Sequence, residues 1–166
     1  MVDARAPGFA LGGSLLFAFA AAASAFAGHG LAIVGATVFD GTGRPALADG
    51  VVVIDGETIG AVGPRAHVAL PKGIPYVDGR RLFVVPGRLS EARLRAALRR
   101  RIGQGAGFEQ ALADVLRAEA SREGIAATIE RGRPADLLVL DKDPGLSPEN
   151  LASVMHVYVH GREVTR

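Results

Sequence analysis

Two short apolar runs constrain this chain more than any other feature: Leu82-Phe83-Val84-Val85-Pro86-Gly87 and Leu137-Leu138-Val139-Leu140. Both read as strands. The second is near-continuous in its apolar character, which predicts a strand buried within the fold. Between them the hydrophobic period changes from that of strands to that of helices. Any architecture must therefore build β-structure from both chain halves and accommodate a helical segment between them.

The N-terminal half reads as β. Leu31 to Val38 is a mostly apolar strand, and Asp40-Gly41-Thr42-Gly43-Arg44-Pro45 after it is turn chemistry, with Gly free to take positive φ and Pro fixing φ. Val51 to Ile54 and Thr58 to Val62 form the next two strands. Asp55-Gly56 between them predicts a type I′ hairpin. Ile74 to Val77 reads as a further short strand, and Asp78-Gly79 turns the chain into Leu82 to Val85. Short strands at regular spacing predict a sandwich or barrel-like sheet.

Ser90 is a suitable helix N-cap, and Glu91 in the first turn suits the helix dipole. Leu94, Ala97, Leu98 and Ile102 then share one helical face, with Arg93, Arg95, Arg99, Arg100 and Arg101 over most of the remainder. Gly103, Gly105 and Gly107 break this helix. A second is predicted from Phe108 to about Glu123, with Phe108, Leu112, Val115 and Leu116 inward and Gly124 as its stop. The tail returns to β: Ile125 to Ile129 leads to a turn at Arg131-Gly132-Arg133-Pro134. After Leu137 to Leu140, Asp143-Pro144-Gly145 turns, Ser147 to Leu151 crosses in a short helical or irregular piece, and Val154 to Val159 is the last strand.

With 166 residues the chain allows one ordinary domain and a modest core. A hydrophobic content of 49% argues against disorder. Nineteen Lys and Arg against seventeen Asp and Glu leave a net charge of +2, which implies no acidic partner by itself. The absence of cysteine excludes disulfides, thiolate metal sites and a cysteine nucleophile. Met1 to Ala27 reads as an export signal: Arg5 near the start, an apolar run from Gly8 to Ala23, and Ala25-Phe26-Ala27 as a small-x-small cleavage motif. This predicts a periplasmic or secreted domain over 28–166. If the segment stays uncleaved, its length suits a membrane anchor.

The strand and turn segments resemble the amidohydrolase superfamily, in particular its imidazolonepropionase-like and dipeptidase-like members. Ile33-Val34-Gly35-Ala36-Thr37-Val38-Phe39-Asp40-Gly41 is similar to the family's opening strand, and Asp49 to Gly63 to its following hairpin. Phe108-Glu109-Gln110-Ala111-Leu112 resembles the start of its last barrel-associated helix. Gly132 to Asp143 and Val154 to Val164, with Gly161-Arg162, resemble its returning strands. The resemblance implies a small β-sandwich made from both chain ends around a catalytic (β/α)8 barrel, with zinc or another divalent metal as cofactor and hydrolysis of carbon–nitrogen bonds other than peptide bonds. This chain is too short for such a barrel of ~250 residues as well as a sandwich. The family follows its Pro-Gly with an apolar pair, an Asp and His-x-His; here Arg88, Leu89 and Ser90 follow Pro86-Gly87, and Ala92 and Leu94 stand where the paired histidines would be. Ala and Leu donate no electron pair, and a catalytic zinc needs about three protein ligands.

No other residues assemble a site from spacing alone. His156 and His160 have the i, i+4 spacing of a helical zinc pair, but a strand there would hold them about 13 Å apart. His67 and His29 read as exposed. Asp136 and Asp141, which bracket a strand, read as hydrogen-bonding strand ends, Asp55 and Asp78 as turn residues, and Ser90 as a cap. Gly103-Gln104-Gly105-Ala106-Gly107 lacks the Lys-Ser/Thr ending and preceding strand of a phosphate loop. The arginines of the first helix could meet anionic lipid. The plainer reading is a solvated helix face, and without interleaved aromatics nucleic acid is not expected.

These readings give an α+β fold, a small sandwich of N- and C-terminal strands bridged by two helices over 89–124, with no complete barrel. No catalytic, cofactor-binding or metal-binding residue is expected, and no cofactor in this chain. The function expected is that of an amidohydrolase-like protein inactive on its own. The alternative is a non-enzymatic exported interaction module, associating with itself or a barrel-bearing partner through sandwich surface near Pro86 and Phe108.

Overall fold

The computed structural model describes residues 30–87, 91–123 and 127–164. The proposed export segment, His29, Ser90 and Gly124 lie outside them. Strands β1 (Gly30–Val38), β2 (Leu47–Asp55), β3 (Thr58–Pro64), β4 (Tyr76–Asp78) and β5 (Phe83–Pro86) come first. Helices α1 (Glu91–Gly103) and α2 (Phe108–Glu123) follow, then β6 (Leu137–Leu140), β7 (Val154–Val159) and β8 (Arg162–Glu163). The fold is mixed α+β: one eight-stranded sheet, ordered β3-β2-β1-β5-β6-β7-β8 with β4 beside β1, not closed into a barrel.

The junction of the two chain halves is the antiparallel pair β5–β6, in register from Phe83 opposite Leu140 to Pro86 opposite Leu137. On the other side β5 runs parallel to β1 through Thr37 and Val38. The apolar run at Leu137 to Leu140 is explained by its two covered faces. Leu137 and Val139 join Ile33, Val52, Ile54 and Tyr158 in a core shared by the two sheet halves, which enclose it as a sandwich does. Leu138 and Leu140 face the helices, packing with Leu94, Leu98, Leu112 and Leu116. The expected inward faces of both helices are those observed. Pro86 is buried, and Phe108 is buried edge-on against Phe39 with ring centroids 5.1 Å apart. The sheet surface near both is thus covered by α1 and α2.

Several local expectations need correction. The β2–β3 hairpin pairs Asp55 with Thr58, so its central residues are Gly56 and Glu57. Only Gly56 has positive φ (+58°), which fits a type II′ turn, where Gly takes the first central place. β4 begins at Tyr76 instead of Ile74 because Pro75 has no N–H for a ladder; its carbonyl still accepts from Ala32 N at 2.9 Å. Of Ile125 to Ile129, the described residues 127–129 form no strand. Ile129 is instead held by its N–H on Asp40 O (2.9 Å), and its side chain enters the sandwich core. The short strand β8 was not foreseen. It follows the two-residue turn His160-Gly161, where both residues have positive φ (+47° and +72°), as type I′ requires.

Candidate functional site

β5 delivers the chain to Gly87, whose N–H donates to Asp136 O at 3.1 Å. Ala92 and Leu94, which stand where the resemblance implies paired histidines, fall on α1. Ala92 is exposed there, while Leu94 is 1% exposed and packed between helix and sheet. A metal ion at this end would meet a methyl group and a buried isobutyl group, so the residues present do not fit one. Among the described residues no group of three or more His, Cys, Asp or Glu is placed to hold a metal.

The structure does not bring the sequence's polar candidates together. His156 lies on β7, its ring stacked on Tyr158 (6.3 Å between centroids) and its Nδ1 2.7 Å from Glu163 Oε1. His160 has left the strand and sits in the β7–β8 turn. Its backbone N–H donates to Asp136 Oδ1 at 2.8 Å. Asp136 is 2% exposed, and its carboxylate ties the turn to the start of β6. Asp141 at the other end of β6 is exposed, its N–H donating to Ser153 O at 3.0 Å. Asp78 accepts from the backbone and guanidinium of Arg80, as a turn residue. The side-chain hydrogen bond from Arg80, aided by that from its backbone, lowers the Asp78 carboxyl to about 2. His67 is exposed in a 3-10 turn, Arg65–His67.

The helix arginines are largely matched by carboxylates. Arg95 and Arg99 both reach Glu149, and Arg101 and Arg117 both reach Asp114. Arg122 pairs with Glu119 one turn earlier. This is a solvated, cross-paired surface in place of an uninterrupted cationic face.

A cleft of about 570 Å³ opens at one end of the sheet, between the loop after β1, the end of β3 and the segment before β6. Val38, Leu47, Val62 and Ile129 supply its apolar lining, and Arg44 and Arg131 reach its rim. Sequence reading did not find it. Its walls come from residues far apart in the chain, and none carries a motif.

No protein-family model matches the chain, and no curated protein matches it. Among solved structures, a Bifidobacterium longum protein provisionally named a prolidase aligns with 83% of this chain and 95% of its own, at a TM-score of 0.61 and 10% identity. That likeness shows a shared fold. Molinate hydrolase aligns with 56% of this chain at 27% identity and a TM-score of 0.34, and a triazine hydrolase variant with 58% at 27% and 0.33. The chain spans 21% and 22% of the lengths of these two hydrolases.

Proposed function

We propose that this chain is the composite sheet domain of an amidohydrolase-like lineage, one whose complete members hydrolyse carbon–nitrogen bonds with a bound metal, and that the chain alone does not turn over such substrates. The observation that carries this reading is the β5–β6 junction, where strands from the two chain halves pair directly and two helices fill the connection. Leu94 in the core, at a position where the resemblance calls for a ligand, supports the second half of the proposal. We further propose export, from the character of Met1 to Ala27. The test is zinc analysis of the purified full chain with an assay against amides, ureas and dipeptides. The expected result is no stoichiometric zinc and no turnover; one bound zinc per chain with measurable hydrolysis overturns it.

A second reading, an exported interaction module, is favoured by Leu146 and Met155, which are 83% and 57% exposed. Sedimentation of the full chain tests self-association. A concentration-dependent dimer supports it, and a monomer across the range removes self-association.

A further inference from the structure

The cleft at the open end of the sheet has the make-up of a small-molecule site. Its volume of about 570 Å³ lies within the range of known ligand pockets, which are mostly apolar with a few placed polar groups. Val38 and Ile129, each 1% exposed, belong to the sandwich core, with Leu47 and Val62 packed against the same cluster. A ligand resting there would touch the half-buried Leu47 and Val62, which that core backs.

The walls are held independently of any ligand. Ile129 N–H donates to Asp40 O at 2.9 Å, joining the two loop walls. Gly132 N–H donates to Ile59 O (2.7 Å), and Ile59 N–H to Arg133 O (2.8 Å), tying the segment before β6 to the start of β3. The Asp40 carboxylate accepts from Thr42 N (2.8 Å), the Thr42 hydroxyl (2.6 Å) and Arg44 Nη2 (2.7 Å), which shapes the 40–44 loop. Binding to such walls loses little to ordering.

The rim decides the ligand's charge. Arg44 is committed to Asp40, and Glu130 accepts from the Thr128 hydroxyl at 2.6 Å. Arg131 is exposed and makes no ion pair among the described residues. A single available guanidinium suits one planar carboxylate, which it can grip with two parallel N–H donors. A doubly charged phosphate would be repelled more strongly than a carboxylate by Glu130 on the same rim. From this arrangement we propose that the cleft binds a small molecule with one carboxylate on an apolar body, the carboxylate on Arg131 and the hydrocarbon on Pro45, Leu47, Val62 and Pro64.

The probe is 4-phenylbutyrate, titrated calorimetrically into the full chain beside its neutral amide and the corresponding phosphonate. The expected result is saturable binding of the acid, with the amide and the phosphonate each ~10-fold weaker, the scale of one charge-assisted bidentate contact. Arg131→Gln should reduce acid binding by a similar factor and leave the amide unchanged. Arg131→Lys should fall between, keeping charge without the planar fork. Arg131 is exposed, so both variants should match the wild-type melting temperature. Equal binding of acid and amide, undiminished acid binding by Arg131→Gln, or no saturable binding of the acid through ~10 mM overturns the proposal.

Discussion

Two single residues show how burial and pairing set the behaviour of a polar group. The Tyr158 hydroxyl is buried and makes no hydrogen bond among the described residues. Burial, with Glu163 adding to it, pushes the phenol up to about 12, so it remains neutral at ordinary pH. An unmatched buried hydroxyl costs stability, and Tyr158→Phe should raise the unfolding free energy by about 1 kcal/mol in urea titration. Asp78 is the opposite case, an exposed carboxylate stabilised in its charged form by Arg80. Its folded value of about 2 lies below the ordinary 3.8, so its contribution is present above the ordinary value and is lost as pH falls through about 2. The difference in melting temperature between wild type and Asp78→Asn should be steady above ~pH 4 and close on acidification toward 2. The turn role of Asp78 was legible because Asp before Gly has a local mechanism. The orphaned hydroxyl of Tyr158 was not, since alternation along β7 reports which face a residue takes and nothing about its partners.

At the scale of elements, the two hairpin tips meet. A Cβ built on Gly161 would lie 2.0 Å from Gly56 O, whereas one on Gly56 would meet nothing within 4 Å. Both have positive φ, so Gly56→Ala should cost only left-handed strain, about 1–2 kcal/mol. Gly161→Ala adds a clash with backbone and should cost about 3 kcal/mol or more, read from thermal unfolding of both variants. On the other side of the sheet, Leu98 is fully buried between α1 and the strands. Leu98→Ala should lose about 2–5 kcal/mol in denaturant titration. The helices were legible nearly to the residue, because Leu94, Leu98, Leu112 and Leu116 repeat at the helical period and glycines bracket them. Strands β4 and β8 were less so. Three- and two-residue strands carry no period, and their limits depend on Pro75 and on the His160-Gly161 turn.

For the whole molecule, α+β composition and the absence of room for a barrel followed from length and from the change of period. The pairing of β5 with both β1 and β6 did not, because hydrophobic patterns mark strands without naming their neighbours. The cleft was hidden for the same reason: Val62 and Ile129 become neighbours only when the sheet curls. Late residues complete this sheet, with β7 covering the outer edge of β6 and Tyr158 entering the shared core. A chain ending at Ala152 should therefore show no cooperative unfolding transition by circular dichroism. During synthesis the first five strands emerge long before β6, and the edge of β5 that β6 will take offers unpaired N–H and C=O groups in the meantime. A ribosome making this protein holds an open sticky margin until β6 emerges, and crowding or slow translation at that stage favours clumping between nascent chains.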